Sequence, residues 1–238
     1  MRKVSISLGF FLLFLGLLVA ARGECADNSL LMEEIKRVLP QIRIRNIEFN
    51  SDLKMYEIMP EGSDTLVYVT QDFRYSFVGT VIDIQGRRNL TEERLIDWRR
   101  VDLSGLNFKN GFQITRGNRK VALFIDPNCP YCKRLLAEIK EVPDVSVYVF
   151  LYPILGLDSR QKSSAIWNSK DKEKALITGE MGEIKEGQDP VEENLAFGRE
   201  HGMNSVPTMI LEDGRMLKGY MTASKIELYL SQGTTSKR

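Results

Sequence analysis

Ile125-Asp126-Pro127-Asn128-Cys129-Pro130-Tyr131-Cys132-Lys133-Arg134-Leu135 is the stretch whose reading decides the fold. An apolar, β-like run from Val121 to Ile125 feeds a turn with two cysteines, and Leu135, Leu136 and Ile139 then recur at helical spacing. Cys129 therefore stands at a strand-to-helix junction with Pro130 at the first helical position, where the missing proline N–H would have had no partner. The Cys129 sulfur is expected over the free N–H groups of a helix N-terminus, whose partial positive charge favours the thiolate. Such sites bring cysteine pKa values from about 8.5 into a range of roughly 3.5–7.5, and the thiolate is the reactive form. Cys132, one turn on, is expected to be less exposed and to resolve a mixed disulfide. The reading is a dithiol/disulfide redox centre.

C-x-x-C is also half of a zinc site. The remaining ligands would have to come from one more cysteine, Cys25, and one histidine, His201. A purely structural disulfide is the other alternative, but so short a loop would staple very little chain. The expectation is no metal, and no cofactor beyond the Cys129–Cys132 pair itself. The odd cysteine count leaves Cys25 as an adventitious thiol or an intermolecular link.

The 238 residues suffice for one or two domains with real cores, and a net charge of +1 gives no polyanion-binding surface, so nucleic acid is not an expected partner. Arg2-Lys3, then an unbroken apolar run from Leu8 to Ala21, then small residues, read as an export signal over residues 1–23. The run is shorter than the roughly 20 residues that span a bilayer; an uncleaved anchor is the alternative. Removing residues 1–23 takes away Arg2, Lys3 and Arg22 and turns the net charge to −2. Export would put the cysteines in an oxidising compartment, where disulfides persist.

Residues 24–88 are expected to form a small α+β domain. Asn28 opens a short helix ended by Pro40; four β-rich segments follow around Ile42–Phe49, Tyr56–Ile58, Leu66–Val69 and Tyr75–Ile84. So small a sheet, with an exposed edge, suits a dimerisation module. Residues 89–111 are expected to be a linker: a charged helix opened by Asn89 with Glu92, or by Thr91 alone, then a glycine-bearing hinge from Leu103 to Gly111. Residues 112–238 are expected to form an α/β domain: strands Phe112–Ile114 and Lys120–Ile125, helix Pro130–Lys140, strand Val145–Leu151, a helical insertion from Asp158 to Gly202, a hairpin about Asp213-Gly214, and a last helix Ser224–Leu230.

With C-x-x-C at a strand–helix junction and Val206-Pro207-Thr208 before a hairpin, residues 112–238 resemble a thioredoxin fold. Matching stretches spread over the mature chain: Ser76-Phe77-Val78-Gly79-Thr80-Val81-Ile82-Asp83, Asn89-Leu90-Thr91-Glu92-Glu93, Tyr152-Pro153, Gly156-Leu157-Asp158-Ser159, Ala165-Ile166-Trp167, Lys170-Asp171-Lys172 and the Pro207-to-Tyr220 hairpin. On these the chain is similar to the DsbC family of periplasmic disulfide isomerases. The resemblance implies a homodimer built on the N-terminal domain, a linker helix and a C-terminal thioredoxin domain. It also implies a periplasmic location, a cis bond before Pro207 that exposes the Val206 backbone to a substrate strand, and a membrane thiol reductant of the DsbD type that keeps Cys129 and Cys132 reduced. The implied substrates are misfolded or mis-oxidised exported proteins, held with chaperone-like binding.

Three positions depart from the pattern. Pro130-Tyr131 stands where the best-known isomerase has glycine-tyrosine, Val206 replaces the usual threonine, and Asn168 replaces a cysteine of a second disulfide. Leu123, six residues before Cys129, stands where reductases of this superfamily carry a buried carboxylate; Asp126 is read as a surface residue. The expected activity is disulfide isomerisation, with Cys129 and Cys132 catalytic and Pro130, Tyr131, Val206 and Pro207 supporting. A net reductase or oxidase of exported thiols, for instance in cytochrome c maturation, is the alternative. A binding module with incidental cysteines is a third reading.

Overall fold

The computed structural model describes residues 33–184 and 188–233. The export signal and Cys25 lie outside the described residues. The chain divides into two compact units, with the boundary between Val81 and Ile82.

In the first unit a helical segment, α1 (33–38), lies on a four-stranded antiparallel sheet: β1 (Ile44–Asn50), β2 (Met55–Pro60), β3 (Val67–Thr70) and β4 (Ser76–Val78), in that spatial order. Ile35 of α1 packs on Ile58, Val67 and Val69, with Leu39, Ile42, Ile44 and Ile47 around the rim. That core is small. Tyr75, Phe77 and Val78, by contrast, stand exposed on or beside the edge strand β4.

The expected segment Tyr75–Ile84 is not one strand. It breaks after Val78, and Ile82–Asp83 (β5) instead pairs with Arg88–Asn89 (β6) in the second unit. Asp83 closes that turn by accepting the Gly86 N–H at 2.8 Å. Helix α2 (Leu90–Trp98) follows, and Asn89, of the two expected caps, opens it by accepting the Glu92 N–H at 3.0 Å.

The second unit is built on a five-stranded mixed sheet, order β11-β10-β8-β9-β7. Its strands are β7 (Phe112–Gln113), β8 (Arg119–Ile125), β9 (Val145–Leu151), β10 (Thr208–Leu211) and β11 (Met216–Lys218). β8 and β9 pair in parallel, joined by the crossover helix α3 (Pro130–Lys140); the other ladders are antiparallel. Helices α4 (Leu157–Trp167), α5 (Lys172–Thr178) and α6 (Val191–Glu200) form the insertion, and α7 (Ala223–Gly233) ends the unit.

The continuous apolar runs of β8 and β9 follow from burial on both faces of the sheet. Val121, Leu123 and Ile125 join Val147, Val149 and Leu151 against Leu135 and Ile139 of α3 and Ile226 and Leu230 of α7. Ala122 and Phe124 point to the opposite face, into Phe150, Tyr152, Phe197, Met203 and Ile210. Each such large side chain, wholly buried, contributes about 1.5–3 kcal/mol.

Residues 103–111, expected as a hinge, lie against this unit. They form two 3-10 turns, Leu103–Gly105 and Phe108–Asn110, capped by the Asp102 and Asn107 side chains, and Val101 and Leu106 are buried in the second cluster. Ile96 of α2 is part of the first cluster, Lys225 of α7 bonds Glu92 at 2.7 Å, and the Val101 N–H donates to Gly214 O at 2.8 Å. Apolar anchors at Ile96, Val101 and Leu106 thus secure a stretch whose glycines suggested freedom.

A steric test of this packing lies in α6. A Cβ on Gly198 would sit 2.3 Å from the buried ring of Tyr152, whose hydroxyl is held by Met203 O at 2.8 Å. Gly198→Ala is expected to lower the unfolding free energy by about 1–3 kcal/mol through overpacking, despite the better helix propensity of alanine. The urea midpoint at unchanged slope measures it.

Candidate active site

The turn that joins β8 to α3 is organised by one side chain. Asp126, the residue after β8, is 0% exposed, and its carboxylate accepts the Asn128 N–H at 2.8 Å on Oδ1 and the Leu155 N–H at 2.9 Å on Oδ2. Its own carbonyl accepts the Cys129 N–H at 3.0 Å. The expectation of a surface residue is therefore corrected. The aspartate lies inside because two loops, β8–α3 and β9–α4, turn their N–H groups toward the same point, and a carboxylate satisfies both.

Asn128 extends the network outward. Its amide Nδ2 donates to Asp158 Oδ2 at 2.7 Å and to Ser159 Oγ at 2.8 Å, and its Oδ1 accepts from Lys162 Nζ at 2.7 Å. The residue before Cys129 is thus clamped to the first two turns of α4. The sequence reading assigned no role to Asn128, Asp158 or Lys162 and placed Asp126 on the surface; the spacing Asp126-x-Asn128, which suits an Asx-type turn, is the signal that could have found the network.

Cys129 occupies the N-cap position of α3 with Pro130 in the first turn, and its carbonyl accepts the Cys132 and Lys133 N–H groups at 3.1 and 3.3 Å. Its sulfur lies at the helix N-terminus, 3.7 Å from the Val206 carbonyl. The Val206–Pro207 bond is cis. Cys129, Val206 and Pro207 are thereby brought together across 77 residues of sequence. Pro130 and Tyr131 are exposed at the mouth of the site.

Cys132 is 1% exposed and Cys129 only 5%; both are thiols. Burial pushes the Cys132 thiol well above the ordinary cysteine range, a direction reinforced by the adjacent Cys129 sulfur and the Asp126 charge and opposed by a hydrogen bond from the Asp126 backbone N–H. Leu123, at the position where a carboxylate was missed, is wholly buried in the apolar core of β8.

Beyond Cys132 the helix carries a second polar group. The Arg134 guanidinium stacks over Tyr220, 4.3 Å from the ring centre, and reaches Tyr131 at 5.8 Å. The Tyr220 hydroxyl donates to Glu138 Oε1 at 2.6 Å, which holds the Glu138 carboxyl below its usual range. Tyr131, beside the nucleophile, is therefore tied through Arg134 to the segment after the hairpin.

The α4 clamp has a pH signature. Lys162 first, and Asn128 second, hold the Asp158 carboxyl below its ordinary value. A depressed folded-state pKa adds stability that is present above the unfolded carboxyl value and is lost as pH falls through the folded one. The stability difference between the native chain and Asp158→Asn is therefore expected at neutral pH and to vanish in acid below the usual carboxylate range, as read by urea unfolding at several pH values.

Comparison with known proteins agrees with this geometry. Residues 113–234 match the thioredoxin-like domain family, and residues 22–92 match the disulfide bond isomerase protein N-terminal domain. A probable thiol:disulfide interchange protein DsbC of Bordetella avium is 30% identical over 187 residues, covering 76% of this chain and 67% of its own length. The thiol:disulfide interchange protein DsbC of Haemophilus influenzae is 28% identical over 219 residues, covering 86% of this chain and 90% of its own length. Among solved structures, a disulfide interchange protein from Neisseria gonorrhoeae is 33% identical with a TM-score of 0.48, covering 53% of this chain and 97% of its own. The matched region spans about two thirds of the length of the Bordetella relatives. With a redox-type cysteine pair at a strand–helix junction and both domain types present in order, the chain belongs to the DsbC family of thiol:disulfide interchange proteins.

Proposed function

We propose that this chain catalyses thiol:disulfide interchange in exported proteins, chiefly as an isomerase of wrong disulfides. The observation that carries the reading is the asymmetry of the cysteine pair: Cys129 at the α3 N-terminus beside Val206, and Cys132 buried behind it and held as a thiol.

Cys129 as thiolate attacks one sulfur of a substrate disulfide. The substrate S–S bond breaks, a Cys129–substrate S–S bond forms, and the displaced substrate sulfur leaves as a thiolate that takes up a proton. In isomerisation another substrate thiolate attacks the substrate sulfur of the mixed disulfide. A new substrate disulfide forms and Cys129 leaves as thiolate, with no net oxidation. In the competing escape, the Cys132 thiol gives up its proton and attacks the Cys129 sulfur. The enzyme pair becomes oxidised, the substrate gains two electrons, and a dithiol reductant must restore the pair; a membrane protein of the DsbD type fits that role.

Substrate is held next to Val206 and Pro207, with Tyr131 at the mouth. Exposed Ile154, Leu155 and Leu157 lie on the loop and helix start that the Asp126 and Asn128 network ties to the site. Apolar surface of this kind suits unfolded chain rather than one defined sequence. The leader-like N-terminal sequence supports a periplasmic location, and the edge strand β4 with exposed Tyr75, Phe77 and Val78 supports a homodimer formed through the first unit.

Two measurements test this reading. Reactivation of a disulfide-scrambled protein is expected to be lost on Cys129→Ala, whereas Cys132→Ala is expected to accumulate mixed disulfides visible on non-reducing gels. Activity that survives Cys129→Ala would sink the reading. Val78→Lys on the β4 edge is expected to shift the sedimenting species from dimer to monomer and to cut isomerisation, while reduction of a small peptide disulfide continues. A monomeric native chain would refute the dimer.

A further inference from the structure

The proposed cycle gives no role to a guanidinium beside the mouth of the site. Arg134 is exposed on α3, two residues beyond Cys132. Its guanidinium carbon lies over the Tyr220 ring, 4.3 Å from the centre, and 5.8 Å from the ring centre of Tyr131, the residue just before Cys132. Two rings thus hold a side chain that would otherwise sample many rotamers. Its ready partner would be Glu138, one turn along the same helix face. That carboxylate is engaged elsewhere: Oε1 accepts the Tyr220 hydroxyl at 2.6 Å and Oε2 the Ala223 N–H at 2.8 Å. Among the described residues no carboxylate is in ion-pair contact with Arg134, and Glu138 attracts it only from further off. A planar fork, braced on aromatic rings and without an acid partner, is suited to a carboxylate.

We infer that Arg134 is a specificity-determining residue that takes an acidic side chain of the substrate, close in sequence to the cysteine bonded to Cys129. The inference rests on thiol:disulfide interchange at Cys129 and deepens that reading by naming a substrate class. Arg134 stands five residues beyond Cys129, about 7.5 Å along the helix axis. An extended substrate chain covers that rise in two or three residues, at about 3.3 Å each. An Asp or Glu side chain at that separation reaches the fork while its neighbouring cysteine is held in the mixed disulfide. The bracing supplies what a free surface arginine lacks, because much of the rotamer entropy is lost before the substrate arrives. Lys133 does not share this position. It lies about 100° round the helix and faces a groove with Leu136, Ala137 and Leu176.

The test measures kcat/KM of the full chain for reduction of small peptide disulfides under excess dithiol, with the uncatalysed rate subtracted. Two peptides are compared, one with Glu and one with Gln at the second and third positions on either side of the cysteine. The native chain is expected to favour the Glu peptide about three- to tenfold, the range between an exposed ion pair and a charge-assisted hydrogen bond. The preference should lie in KM, since the carboxylate stands apart from the reacting sulfurs, and should shrink at high salt. In Arg134→Gln the ratio should fall to about one, and Arg134→Lys, which keeps the charge but lacks the fork, should keep only part of it. Lys133→Gln removes an equal charge from another face of α3 and should leave the native ratio in place. Each ratio compares two peptides on one protein, so a structural loss in a variant lowers both rates and cancels. A ratio near one in the native chain, a preference that survives Arg134→Gln, or an equal loss in Lys133→Gln would overturn the inference. A native chain that reduces neither peptide would instead defeat the functional reading.

Discussion

Two backbone N–H groups from different loops converge on the buried Asp126 carboxylate, and the geometry of the redox centre depends on that convergence. β8 and β9 run parallel, so both leave the sheet at the same end, and the loops after them emerge side by side. Open α/β sheets place their sites at such ends. Here the two loops would bring unpaired N–H groups into a region cut off from water, each costing about 1–3 kcal/mol if left without an acceptor. A single carboxylate answers both, and the turn it creates places Cys129 at the cap of α3. Asn128 then carries the constraint to α4, which makes a four-residue turn rigid without a disulfide across it.

Around this point the second unit is more extensive than a sheet with its helices. α2 contributes Ile96 to the central core, and Val101 and Leu106 fill the opposite cluster. The hairpin turn is part of the same attachment. Gly214 adopts φ +85°, and a Cβ there would lie 2.5 Å from Val101 O, so the glycine allows both the turn and the close passage of the chain after α2. A residue beside the hairpin is therefore held from two directions. Below it, β10 pairs with β8, the strand that carries the cysteines, with Thr208 opposite Phe124. The cis-proline segment and the cysteine turn are in this way positioned by adjacent strands of one sheet, and the 3.7 Å approach of Cys129 to Val206 is a consequence of strand register.

Most of this architecture was legible in the sequence where periodicity and punctuation coincide. Pro130 at a helix start, Asn89 with Glu92, Asp213-Gly214 and the apolar runs of β8 and β9 each specify local structure by a short-range cause, and each element appears where expected. What the sequence concealed depends on long-range burial. Gly105 and Gly111 suggested a hinge, yet Leu106 between them is an anchor whose partners lie on β8, β9 and α6. Tyr75–Ile84 looked like one strand because alternation says nothing about which sheet a strand joins. Asp126 looked like a surface residue because a carboxylate after a strand usually is one; only the meeting of two loops puts its acceptors to use. The pairing of Cys129 with Val206 and Pro207 came from family resemblance, since nothing local links residues so far apart.

The two cysteines differ far less in exposure than in electrostatic surroundings. At 5% and 1% exposed, neither sulfur is open, so access alone cannot assign one as nucleophile and the other as resolver. Position along α3 does so. Cys129 caps the helix, at the positive end of its dipole. Cys132 lies inside the helix with its N–H already bonded to the Cys129 carbonyl, and the charges it meets are those of the Cys129 sulfur and Asp126. A helix terminus at one sulfur and a buried position within the helix at the other, three residues apart, give the pair a direction. Pro130 and Tyr131 between them set that spacing and leave an exposed apolar face at the opening. The division of labour between Cys129 and Cys132 is therefore a property of where the strand ends and the helix begins.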